Sequence, residues 1–150
     1  MKILNLGIQG NLGKSTWEVN AYKNTIDDLI AWAPIPNDPN FRWTPSNINK
    51  AKIKGLEASF KTKINNWDVN TNIGVLNAKN DKGQKLRFRP ERTLNIDLDR
   101  RFGRWSIGSS VHAESKRYTD VANTNKLAGF ATLELRTKYA LNKDFSVGVK

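Results

Sequence analysis

The chain contains one histidine, His112, and no cysteine. A lone imidazole excludes a multi-histidine metal cluster, and the lack of thiols excludes both a disulfide framework and a thiolate metal site. Acyl transfer through a Ser-His-Asp arrangement would rest entirely on His112. That residue alternates onto a polar strand face with Ser106, Gly108, Ser110 and Glu114, where solvation or hydrogen bonding accounts for it without catalysis. Glu57 and Asp97 are the carboxylates to consider as a general acid and base, yet nothing in their spacing brings them together. Asp38, Asp81 and Asp120 lie in loop sequence and offer oxygens to calcium, but none belongs to the closely repeated acidic pattern of a dedicated site. No enzymatic site, metal or cofactor is expected. The chemistry left is recognition.

Charge bears on what is recognised. Twenty-five Lys and Arg stand against 14 Asp and Glu, a net charge of +11 at pH 7. Such a charge attracts polyanions, so nucleic acid and anionic lipid both come into view. The basic residues are scattered through every strand and loop, the pattern of a solvated face, and no nucleic-acid partner is expected. A soluble basic β-barrel that binds nucleic acid remains the alternative from another functional class.

The stretch that organises the chain is Leu86 to Gly108, LRFRPERTLNIDLDRRFGRWSIG. After an Arg-x-Arg-Pro entry, Leu94, Ile96 and Leu98 alternate with Asn95, Asp97 and Asp99. A Gly103-Arg104 turn leads to a second strand, where Trp105, Ile107, Ser109, Val111 and Ala113 oppose the His112 face. Alternation on both sides of a two-residue turn signals a β-hairpin.

The same period runs through the chain. A first strand covers about Lys2 to Gly10, and a second runs from Thr16 to about Trp32, with a helix over Thr25 to Trp32 as a local alternative. Residues from about Ala33 to Asn49 hold four of the five prolines and read as one long loop. A third strand begins near Lys50, and a fourth follows the Asn65-Asn66 turn. The polar run AKNDKGQK reads as a loop before the hairpin, which supplies strands five and six. A seventh covers about Ala128 to Leu141, and an eighth starts at Phe145. Short turns near 11, 65, 103 and 142 alternate with long connections near 33, 77 and 118. Consecutive strands are therefore antiparallel neighbours, with short turns at one end and long loops at the other.

Aromatic residues gather at those two ends. Trp17, Trp67, Phe102, Trp105, Tyr139 and Phe145 lie near the short turns, while Trp32, Phe41, Trp43, Phe88, Tyr118 and Phe130 lie in or beside the long loops. Rings at the ends of long alternating strands suit the two interfaces of a bilayer, whereas a soluble sandwich would bury them mid-strand. No apolar run is long enough for a membrane helix, and the mean hydropathy of −0.61 agrees with a polar-lumen barrel. The fold class expected is all-β, an antiparallel up-and-down transmembrane β-barrel segment of about eight strands. Its apolar face meets lipid, and Glu57, Asp97, Asp99, Glu134 and Arg136 face a hydrated lumen. A small complete outer-membrane barrel with a structural role shares much of this pattern.

The runs VNAYKNTIDDLI, KAKIKGLEASFKTKI, LRFRPERTLNIDL and ESKRYTD resemble the C-terminal half of TonB-dependent outer-membrane receptors. The likeness is nearest to the cobalamin branch, through NAYKNTIDDLI and AKIKGLEA, and siderophore and haem receptors share the framework. It implies a barrel of about 22 strands in the Gram-negative outer membrane, with short periplasmic turns and long extracellular loops. A separate plug domain would link it to the TonB protein. The ligand would be a metal chelate taken up by active transport, with outer-membrane lipid around the barrel. Plug domain, TonB box, signal peptide and terminal aromatic are not found in residues 1–150, so a partial barrel domain is expected. Arg87 and Arg89 resemble the position of a ligand-contacting arginine in that branch. Arg42 with Trp43 and Arg117 with Tyr118 would add a cationic and aromatic rim for a bulky ligand. Lipopolysaccharide phosphates, interface anchoring or plain solvation account for these residues as well.

Overall fold

The computed structural model describes residues 1–35, 37–40, 42–47 and 50–150. Eight strands form one antiparallel sheet in chain order: β1 (Lys2–Leu12), β2 (Ser15–Asp27), β5 (Lys50–Ile64), β6 (Trp67–Asn80), β7 (Arg92–Phe102), β8 (Trp105–Glu114), β11 (Phe130–Ala140) and β12 (Ser146–Val149). Two short ribbons stand in the long connections, β3 (Ile30–Pro34) with β4 (Trp43–Asn47) and β9 (Arg117–Tyr118) with β10 (Lys126–Leu127). The up-and-down order and the alternation of short and long connections are as the sequence pattern demands. No helix forms over Thr25 to Trp32.

The turns have the chemistry that tight hairpins need. Asn65 and Asn66 both take positive φ, 48° and 66°, between β5 and β6, and asparagine tolerates that region better than most residues. Gly103 takes φ 57° between β7 and β8.

Three boundaries differ from expectation. β2 stops at Asp27 because Asp28 turns the chain at φ 57°, and Ile30–Pro34 then pairs with Trp43–Asn47. The proline-rich segment is thus partly a ribbon, with Pro34 at a strand end and Pro45 on a two-stranded edge, where a missing N–H costs no ladder bond. β6 extends to Asn80, so Ala78-Lys79-Asn80 belong to the sheet.

Register sorts the side chains into two faces. Across the rows Leu6, Ala21, Leu56, Val75 and Ile8, Val19, Ala58, Ile73, directly opposed residues share one apolar face. From Leu56 to Ile64 that face runs about 26 Å along β5, the height of a bilayer's apolar band before tilt. It is bare: Leu6 is 74% exposed and Leu135 66%. The surface totals 11024 Å², against about 7,700 Å² for a compact monomer of this mass. A water-soluble barrel would cover this face; lipid is the solvent that suits it.

At the turn end, rings cap the apolar face. Trp67 meets Phe102 edge-on at 6.5 Å, Trp105 lies 4.7 Å from Tyr139, and the Arg100 guanidinium sits 4.3 Å from the Phe102 ring centroid. At the loop end the rings lie in or beside the long connections, as expected. Trp32, Trp43, Phe88 and Tyr118 stand in the ribbons and connections, and Phe130 is opposite Glu114 on the polar face, 5.7 Å from His112. Phe41 lies outside the described residues.

Among the described residues, buried apolar side chains occur in one place. Ala51, Ile53, Ala78 and Leu86 pack together at the loop end of the polar face, with Tyr22, Ile26, Leu29 and Leu76 against them. The chain after β6 folds back over these strands: Leu86 N–H donates to Ala78 O at 2.9 Å, and Leu76 N–H donates to Glu91 O at 2.8 Å.

Candidate functional site

The fold-back that buries Leu86 carries its neighbours to the loop end. Arg87 lies with its guanidinium 5.1 Å from the Trp43 ring and 6.0 Å from the Phe88 ring, and it donates to the Trp32 carbonyl oxygen. Two connections far apart in sequence are thereby joined by one cation. Phe88 N–H donates to Tyr118 O at 2.8 Å. Asn123 accepts from Lys85 N–H at 2.6 Å and donates to Lys85 O at 2.9 Å, bringing in the connection between β8 and β11. Two ammonium groups approach the Tyr118 ring, Lys85 at 5.9 Å and Lys126 at 5.5 Å from its centroid. The arrangement is a rim of aromatic faces and cations, suited to a bulky ligand with anionic or amide oxygens.

The predicted rim residues divide between this cluster and its surroundings. Trp43, Arg87 and Tyr118 belong to it. Arg42 is paired with Asp38 at 2.8 Å instead, and that guanidinium, with the Asn40 N–H, holds the Asp38 carboxyl below its ordinary value. Arg89 is exposed and makes no ion pair among the described residues. Arg117 pairs with Glu114 and stacks 5.8 Å from Phe130. Lys85, Leu86 and Asn123 were not candidates from sequence. The signal for Asn123 is its φ of 62°, a turn position that favours asparagine. Asp120 fixes the same connection by accepting from Thr124 N–H at 3.0 Å and Asn125 N–H at 2.7 Å. Those donors hold its carboxyl below the ordinary range.

Among the other predicted residues, four converge on the polar face near the short turns. Arg136 donates to both oxygens of Asp99, at 3.1 and 2.5 Å, and to Ser110, which in turn donates to Asp97 at 2.5 Å. Glu134 stands 4.0 Å from Arg136. The pair joins β7 to β11 across β8, and Gly108 makes the crossing possible: a Cβ there would stand 2.3 Å from Asp99 Oδ1. Glu57 lies apart, in an open groove of about 410 Å³ with Glu18, Asn20 and Lys61. Glu57 faces Gly74 and Asp97 faces Asn70, four residues apart on β6, or about 13 Å. They cannot work as paired catalytic carboxylates. His112 bonds to Asn95 at 2.6 Å and Glu114 at 3.2 Å, with no serine hydroxyl bonded to it among the described residues.

Comparison with known proteins gives the arrangement its setting. Residues 2–150 match the family described as TonB dependent receptor-like, beta-barrel. Over 136 residues the chain is 32% identical to the vitamin B12 transporter BtuB of Photobacterium profundum, covering 87% of this chain and 22% of that protein. Over 61 residues it is 44% identical to BtuB of Vibrio vulnificus, covering 39% of this chain and 10% of that one. Among solved structures it is similar to the copper transporter OprC, with a TM-score of 0.80 at 20% identity over 97% of this chain and 24% of that one. The ferric enterobactin receptor PfeA of Pseudomonas aeruginosa gives 0.76 at 20% identity, over 97% of this chain and 24% of its own. At those identities the structural likeness speaks for the fold alone. The chain spans less than a quarter of the length of these relatives. Family, strand order and two-faced register agree: the chain belongs to the TonB-dependent receptor-like β-barrel family of the Gram-negative outer membrane.

Proposed function

We propose that residues 1–150 form eight consecutive wall strands of an active-transport receptor for cobalamin or a similar metal chelate, a siderophore or haem. The observation that carries this reading is the 32% identity to a vitamin B12 transporter over 136 residues, which include both the strands and the connections between them. The loop-end geometry supports it. Arg87, Trp43 and Tyr118 offer a cation and ring faces to a large ligand with amide and phosphate oxygens. Glu57, Asp97, Asp99, Glu134 and Arg136 line the lumen side, where a plug domain packs and passes force from the TonB protein, while the remaining strands continue the wall from the sheet's edges. The segment makes and breaks no covalent bond.

The test uses outer membranes from cells expressing the whole gene that carries these residues. Equilibrium binding of cyanocobalamin, a ferric siderophore and haem is compared with membranes lacking the gene product. Saturable binding of one of them, weakened two- to fivefold by Arg87→Ala, is expected from a partly exposed cation–π contact. Binding of none of the three above background would overturn the proposal.

A further inference from the structure

The lipid-facing side of the sheet changes character abruptly at its loop end. Below, the row Leu6, Ala21, Leu56 and Val75 is aliphatic. The next row on the same face places Lys23 directly opposite Lys54, and the row beyond places Lys52 opposite Lys79, with Lys2 opposite Thr25 at the end of β1. Five ammonium groups thus lie on four adjacent strands, in a patch of about 14 by 7 Å from strand and residue spacings. Like charges directly opposite one another destabilise a sheet, and here two such pairs adjoin. The carboxylate in the row beyond, Asp27, is already taken by Lys50 at 3.5 Å. Among the described residues, Lys2, Lys23, Lys52, Lys54 and Lys79 have no ion-pair partner.

Position names the counter-charge. The patch begins where the apolar band ends, and on the face that meets acyl chains. A partner must therefore bring anions to headgroup depth while its tails lie along Leu6, Leu56 and Val75. The turn end of the same face is anchored differently, by rings, with Trp67, Phe102, Trp105 and Tyr139 in contact. Long loops face outward in barrels of this kind, so the lysine patch lies at the outer leaflet. We infer that Lys2, Lys23, Lys52, Lys54 and Lys79 form a binding surface for the phosphates of the outer leaflet's phosphorylated glycolipid. Its phosphomonoesters would take charge-assisted hydrogen bonds from amines that otherwise repel one another.

The experiment uses the whole gene product that carries this chain, purified from outer membranes in detergent, with bound glycolipid counted by native mass spectrometry. K23Q/K52Q/K54Q/K79Q is expected to lose at least fivefold in bound glycolipid. A control of equal charge, K14Q/K61Q/K63Q/K143Q, removes lysines at the turn end and should retain it. Heat-modifiable gel migration reports that both barrels are formed. Wild-type protein in nanodiscs provides a measurement that needs no variant: phosphorylated lipid A should be retained, and the same lipid stripped of its phosphates should not. Equal retention of both lipids, full retention by the quadruple variant, or an equal loss in the control would each overturn the inference. The readout contains no transport ligand, so it can fail while the chelate proposal stands, and the reverse.

Discussion

Two ends of one face show how the same strands are held in two different ways. At the loop end, the polar-face positions of β5 and β6 carry Ala51, Ile53 and Ala78, and Leu86 closes over them as a small dry core. At the turn end, the equivalent positions of β7, β8 and β11 carry Asp99, Gly108 and Arg136, joined by a charge bridge open to water. Alternation decides which face a side chain takes, whereas the connections decide whether that face is covered. A 410 Å³ groove separates the two regimes, lined by Glu57 and its polar neighbours. The proposed rim residues follow the covered end, because packing there fixes a connection in place. The uncovered end is fixed by side chains alone.

The contrast predicts unequal responses to truncation. Leu86→Ala should have the largest effect, about 2–4 kcal/mol on local opening of the fold-back, since Leu86 is 8% exposed among apolar neighbours. Amide exchange at Leu76 and Leu86 should accelerate accordingly, and the Arg87–Trp43 contact should loosen with it. Unchanged exchange there would mean that the backbone bonds to Ala78 and Glu91 hold the connection without the core.

Gly108→Ala tests the other end and should cost less, about 1–3 kcal/mol, because a methyl group must push aside the crossing of Asp99 and Arg136. Thermal denaturation of the folded barrel should register it, and Arg136→Ala should largely remove the penalty in a double mutant. Additive losses would show that the glycine serves the backbone and not the bridge. Smaller still is Trp43→Ala, which removes the ring under Arg87 and is worth about 0.5–1 kcal/mol at an exposed site. Its signature is faster motion of the Ile30–Asn47 ribbon in spin-label spectra, with β5 and β6 unaffected.

The sheet was legible in the sequence because seven of its eight strands run for 10 to 15 residues, β12 having four, and a period of two over such lengths is enough to fix both register and face. Gly103 and Asn65-Asn66 announced their turns through the conformations those residues permit. The loop end was less legible. Ile53, Leu76 and Ala78 sit at polar-face positions, and this break in alternation was the trace of the dry core. The cover, Leu86, lies eight residues beyond Ala78, and periodicity carries no information about a chain folding back on itself. Prolines hid the β3–β4 ribbon, since a two-stranded edge accepts Pro45 where an inner strand would not. Of the predicted rim, Arg42 was diverted to Asp38 by a pairing four residues away that loop sequence leaves undetermined.

The smallest effect concerns the connection that brings Tyr118 to the rim, and it sharpens the comparison because that connection has no apolar core of its own. Asp120 accepts from Thr124 Oγ1 at 2.8 Å as well as from the two backbone donors, and these bonds favour the carboxylate, so its folded-state pKa is lowered. A lowered value means that the contribution to loop order is fully present above the unfolded pKa and is lost as pH falls through the folded one. The loop should therefore stay ordered at about pH 4 and open only below it, while Leu86 and the side chains packed with it, which include no carboxylate, keep their protection. Amide exchange of Thr124 and Asn125 across that range checks the sign. Asp120→Asn should give weaker protection that no longer depends on pH. Opening of wild-type Thr124 above about pH 4, or acid loss of protection at Leu86 in step with it, would show that the connection and the dry core form one unit.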